Sequence, residues 1–247
     1  MDILTFSPII LNLLWFFIFW IVAFPLFFGI PVFYLTSRQN GSHQIIPCTD
    51  KDIPDSSKIF FSEQDSKLTS LGFIHRGYFK HEQVKPNSQA LVYTSLYYQP
   101  EEHIKAVIIL HVIKQIQLSY VEYASQLADD SYLITYNAKN RSAFLYPPHI
   151  VIRPVSIRSA DELFKNHLAA TDERMAGGSK FKNLNQMEYT NESNRINREI
   201  LDYQVSQGLM KTLDSGRTYQ PTLKGAVIMV FKEWVSFSFL KRLIGRV

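Results

Sequence analysis

The chain has one cysteine, Cys48, among 247 residues, so no internal disulfide is available, which fits a reducing compartment. It has no GxSxG, HExxH or CxxC motif and no phosphate-cradling glycine loop, and its seven histidines are scattered, with no i, i+4 pair on a helix. Sequence motifs therefore point to no cofactor, metal or catalytic group. Charge is missing too, but only locally: from Ile3 to Ser37 there is no Asp, Glu, Lys, Arg or His.

That uncharged run, with Trp15, Trp20 and Tyr34 inside it, exceeds the roughly 20 apolar residues that cross a bilayer core of about 30 Å. A cleaved signal peptide needs a basic start, a shorter apolar core and a small-x-small end, none of which is present. The expectation is a transmembrane anchor over residues 1–36, helical from about Pro8 and kinked or ended by Pro25, Gly29 and Pro31. Lys and Arg appear only after it (Arg38, Lys51), so the orientation rule places the N-terminus outside and the large C-terminal part in the cytoplasm, as in a single-pass membrane protein.

Net charge is +4 and the pI about 9.0, with basic residues gathered towards the C-terminus. Such a mild excess suits a lipid bilayer with anionic head groups better than nucleic acid, which calls for a denser basic stripe. Residues 37–57 are polar, carry Pro47 and Pro54, and read as a linker.

Residues 58–178 read as an α+β domain. Lys58–Phe61 is expected as a strand and Glu63–Leu71 as a helix between Ser62 and Gly72. β-type segments follow at 73–84, 90–99, 104–114, 119–128 and 132–138, separated by short turns that allow only antiparallel neighbours. The product is an antiparallel meander of about five or six strands, with Ile104–Ile113 central because it is apolar on both faces and Ile150–Pro154 at an edge. Ser159-Ala-Asp-Glu162 matches a capping box that opens a helix to about Met175.

Residues 179–247 read as a helical appendage: a linker grading into a helix with Ile196, Ile200 and Tyr203 on one stripe, a small hairpin around Asp214-Ser-Gly216, and a last helix capped by Thr222. Arg195–Thr222 resembles the recognition-helix-plus-wing end of winged-helix DNA-binding domains, which implies a DNA-binding regulator. The likeness covers about thirty residues with no preceding helix-turn-helix pair, so the stretch reads as a helix–hairpin–helix. The last helix mixes aromatics with Lys232, Trp234, Lys241 and Arg242, which suits a helix lying in a membrane interface.

One constellation can be drawn from register. If Asp129-Asp130 is a two-residue turn, Glu122 lies opposite Asn137 and Ala124 opposite Thr135, so Glu122, Thr135 and Asn137 share a face that His167 could meet. These four residues are the candidate ligand-binding site, and an enzyme built on Glu122, Asn137 and His167 is the alternative. With no catalytic motif, the favoured expectation is a non-catalytic binding or interaction module at a membrane surface.

Overall fold

The computed structural model describes residues 8–85, 88–113, 116–127, 129–137, 145–157, 159–175 and 189–237. The chain divides into two compact units, one of residues 42–141 and 146–200 and one of residues 1–41, 142–145 and 201–247.

The larger unit is α+β. Its seven-stranded sheet runs β2 (Gln44–Cys48), β3 (Ile74–Lys85), β4 (Ser88–Gln99), β5 (Ile104–Ile113), β6 (Ile116–Gln126), β7 (Tyr132–Tyr136), β8 (Ile150–Pro154), in that order. All pairs are antiparallel except β7 with β8, which is parallel. Residues 137–149 give that pair the dozen or so residues a parallel crossover needs. The expected meander and central β5 are present, and β8 is an edge strand; the sheet gains β2, which pairs with β3 from within the stretch read as a linker.

Helices α3 (Asp55–Ser70) and α4 (Ala160–Met175) cover one face of this sheet. Their core joins Phe61, Leu68, Leu163 and Phe164 to Tyr97, Ala106, Ile108 and Tyr123. The expected strand at Lys58–Phe61 belongs instead to α3: Ser57, Phe61, Gln64 and Leu68 are buried at helical spacing, and that periodicity outweighs the β-type residues Ile59 and Phe60. The helix ends where Gly72 adopts φ +82. The opposite face is covered by the first part of α5 (Tyr189–Ser206), with Tyr189 against Phe79 and Val107, and Ile196 and Ile200 against Ile134 and Ile150.

The smaller unit contains α1 (Pro8–Ile18), two π-helical stretches (Phe19–Ala23 and Pro25–Gly29), α2 (Ile30–Thr36), β1 (Gln39–Asn40), β9 (Met210–Leu213), β10 (Thr218–Pro221) and α6 (Leu223–Phe237). The expected helix–hairpin–helix is seen in the order α5, β9, β10, α6, and β1 adds a third strand beside β10. Leu201, Met210, Tyr219 and Met229 form its core, with Phe33 and Val205 against it. The last helix is thus docked on this unit through Ala226 and Met229 rather than lying free. Residues beyond Phe237, Lys241 and Arg242 among them, lie outside the described residues.

The N-terminal expectation needs correcting. Among the described residues no helix is long and apolar enough to cross a membrane. The uncharged run is divided: α1 has 11 residues, about 16 Å of rise against a core of about 30 Å, and π-helical turns replace regular α-helix on both sides of Phe24. Pro25 has no N–H to donate, so the regular ladder cannot pass through it. The transmembrane anchor, and with it the single-pass membrane localisation, is therefore overturned.

Close packing in the smaller unit is most demanding at Gly225, where an added Cβ would sit 1.8 Å from the Leu209 carbonyl oxygen. That oxygen also accepts the Thr222 N–H at 3.0 Å, so neither backbone can yield cheaply. Gly225→Ala is expected to destabilise the chain by about 3 kcal/mol, read as a lowered midpoint in urea denaturation, whereas alanine at exposed Gly208's neighbour Gln207 changes it little.

Candidate functional site

The sheet brings only part of the predicted constellation together. The β6–β7 turn is longer than two residues: Leu127 N–H donates to Ser131 O, and Asp129 Oδ1 accepts from both the N–H and the hydroxyl of Ser131. Glu122 consequently pairs with Tyr136, and Tyr123 with Thr135. This one-residue slip moves Glu122 to the opposite face from Thr135. The shared face expected for Glu122, Thr135 and Asn137 does not exist. Asn137 instead extends the ladder, its Oδ1 accepting the Val121 N–H at 2.8 Å.

His167 does meet the sheet, on the α4 side. Its Nδ1 lies 2.9 Å from Thr135 Oγ1 and its Nε2 3.0 Å from Ser125 Oγ. All three residues are fully buried. Burial, with a smaller contribution from Arg153, pushes the imidazole down to about 3, so the ring is neutral and bonded on both nitrogens. The imidazole is bonded to two hydroxyls, which ties α4 to the sheet.

Glu122 belongs to the α5 face. There Lys105 Nζ lies 2.6 Å from Glu192 Oε2, with both side chains below a tenth exposed. The ammonium also stands 5.6 Å over the Tyr189 ring. Lys105 pairs with Ala124 and Val107 with Glu122, which sets the Glu122 carboxyl diagonal to the ammonium on the same face. Burial raises the Glu122 carboxyl above its usual range, Lys105 opposes that and Glu192 adds to it. Burial likewise pushes Tyr189 up to about 12. The group is a buried ion pair with a second carboxyl beside it, and Glu192 Oε1 has no hydrogen-bond partner.

A third cluster, under α3, was not anticipated. Ser95 Oγ lies 3.0 Å from His75 Nε2, the His75 ring lies 5.0 Å from that of Tyr97, and Asp65 acts on both electrostatically. The bulge between His75 and Gly77 directs the imidazole there. Ser95 and Tyr97 are nevertheless fully buried. Sequence offered no signal for it, because Asp65, His75 and Ser95 come from different elements and only the bulge aligns them. Among the described residues no group of three or more His, Cys, Asp or Glu could hold a metal ion. Arg195, at the start of the winged-helix-like stretch, is bonded to Glu199 and to the Tyr132 hydroxyl, with its side chain still exposed.

Exposure is concentrated elsewhere. Trp15 is 64% and Trp20 41% exposed, together with Leu13, Leu14, Phe16, Phe17, Phe27, Phe28 and Leu35 of the same segment. Tyr34 is half-buried beneath Lys211, Lys232 is exposed, and Trp234 lies in α6. No family model matches the chain, and no curated protein or solved structure matches it either.

Two outcomes follow from the buried groups. Lys105→Met leaves the Glu192 carboxyl buried without its partner, so it is expected to destabilise by about 3–5 kcal/mol, while Lys105→Met with Glu192→Leu recovers most of the loss; chemical denaturation of the three chains checks this. For His167, the unfolded chain takes up a proton near 6.5 but the folded chain only near 3, so this group costs stability as pH falls between those values, by up to about 1.4 kcal/mol per pH unit. Its ring resonances in NMR are expected to stay at neutral positions from pH 8 down to pH 5; a midpoint near 6.5 would contradict the sealed site.

Proposed function

We propose that this chain is a non-catalytic binding module whose partner is a lipid bilayer surface, engaged through the apolar helical segment Pro8–Thr36. The observation that carries the reading is the run Leu13, Leu14, Trp15, Phe16 and Phe17, each 43–64% exposed. Five consecutive helical residues point around a full turn, so apolar groups leave this segment in every direction. A protein groove takes one stripe of a helix; a fluid apolar phase accepts all of it.

Contiguous apolar exposure beyond a few hundred square ångströms marks an interaction site on a folded protein. Trp15, Trp20 and Tyr34 are the residue types that favour the bilayer interface, where a ring can be apolar on one side and wet on the other. The reading concerns adsorption and partial insertion, and no span is part of it. Its non-catalytic half is supported by the fate of the reactive groups: His167 and Glu192 are buried and tie α4 and α5 to the sheet, and Ser95 is buried and bonded within the sheet to His75.

Vesicle flotation tests it. The full chain, delivered by detergent dilution onto phosphatidylcholine vesicles, is expected to rise with the lipid. A variant with Trp15→Glu, Phe16→Glu and Trp20→Glu is expected to float at least about tenfold less, because charge is costly in the acyl region. A folded full chain that stays with the soluble fraction, or a variant that floats equally well, would overturn the proposal.

A further inference from the structure

The C-terminal end of the apolar segment is built into a small cationic face. Gln220 Nε2 donates to the Tyr34 carbonyl at 2.8 Å, tying β10 to the last turn of α2. Gln220 pairs with Lys211, and the Lys211 ammonium stands 5.5 Å over the Tyr34 ring. On the other side of β10, Gln39 pairs with Tyr219, which sets Arg38, one residue earlier, level with Gln220 in the ladder. Arg38, Gln220 and Lys211 thus form one row across three chain segments at the point where the uncharged run ends. Both cations are exposed.

Little opposes them within the unit. Of its described acidic residues ahead of α6, Asp202 accepts the Tyr219 hydroxyl at 2.6 Å and Asp214 belongs to the β9–β10 turn, where Arg217 follows it. Cations at the C-terminal end of a helix are also favoured by its dipole, which accounts for their presence without accounting for their exposure.

We propose that Arg38 and Lys211 form an anionic head-group site, so that the surface this chain docks on is a bilayer carrying phosphatidylserine- or phosphatidylglycerol-type lipid. The inference rests on the adsorption reading and deepens it. Charge complementarity supplies the argument: an apolar, tryptophan-bearing segment enters the acyl region while the cations at its end stay at head-group level, the arrangement in which Lys and Arg gain from anionic lipid. Tyr34, between the two regions, lies at the interface, with the Lys211 ammonium above its ring.

The experiment uses the full chain on pure phosphatidylcholine vesicles and on vesicles with about one third phosphatidylserine. Partition is expected to rise about 25-fold on the anionic vesicles, about fivefold for each of the two cations, and to lose that gain in high salt. Arg38→Gln with Lys211→Gln is expected to forfeit about fivefold per cation removed while floating normally on neutral lipid. Lys211→Arg, which keeps the charge, retains the preference. Equal partition of the native chain on both vesicles, or a preference that survives the double substitution, overturns the head-group site and leaves adsorption standing. Flotation on neither vesicle overturns both.

Discussion

An uncharged helical segment that folding leaves uncovered is the constraint on which the rest depends. Apolar surface in water costs about 25 cal/mol per Å², and here the exposed side chains include Trp15, Phe16, Phe27 and Phe28. The smaller unit holds the C-terminal half of this segment firmly. Phe33 joins the core of Met210, Tyr219 and Met229, Gly29 lets Val230 approach to within 3.1 Å of where a Cβ would be, and Gln220 bonds the Tyr34 carbonyl. The packed C-terminal half thus leads back into an exposed apolar end, and the proposed adsorption is what would take that surface out of water.

The larger unit solves a different problem. Its central strand, β5, sends Ile104, Ala106, Ile108 and Leu110 to one face and Lys105, Val107, Ile109 and His111 to the other, so both faces need cover. On the α3 and α4 side an apolar core encloses two polar groups, His75 with Ser95 under α3 and His167 with Ser125 and Thr135 under α4. On the α5 side it includes the Lys105–Glu192 ion pair. A buried pair adds little net stability against an apolar substitute, yet it penalises any register of α5 that separates the charges. Its effect is to fix where α5 sits, which also fixes Tyr189 over Phe79.

Much of this was legible in the sequence and some was not, for identifiable reasons. Strands β3 to β7 were readable because each combines β-type residues with a turn-like break, and α4 because Ser159-Ala-Asp-Glu162 matches a capping-box pattern. Lys58–Phe61 misled because Ile59 and Phe60 favour strands, while the helical signal lay in Ser57, Phe61, Gln64 and Leu68 over a longer window. That His167 faces the sheet was legible from its place on the α4 stripe, but its partners were not: it meets Thr135 and Ser125 rather than Glu122 or Asn137. Glu122 beside Thr135 was not borne out, since one extra residue in the turn at Asp129 reverses a face. The Lys105–Glu192 pair spans 87 residues and no local pattern announces it. The uncharged run was plain, but its division by π-helical turns around Pro25 is a backbone property that hydropathy does not register.

Tryptophan fluorescence on brominated lipid tests the central claim most directly. The chain has three tryptophans, and two of them, Trp15 and Trp20, lie on the exposed apolar segment. If that segment enters the acyl region, bromine on the lipid chains quenches most of the emission of the full chain, and Trp15→Phe with Trp20→Phe removes the quenchable part. Emission indifferent to bromine, or quenching undiminished in the doubly substituted chain, would contradict the account.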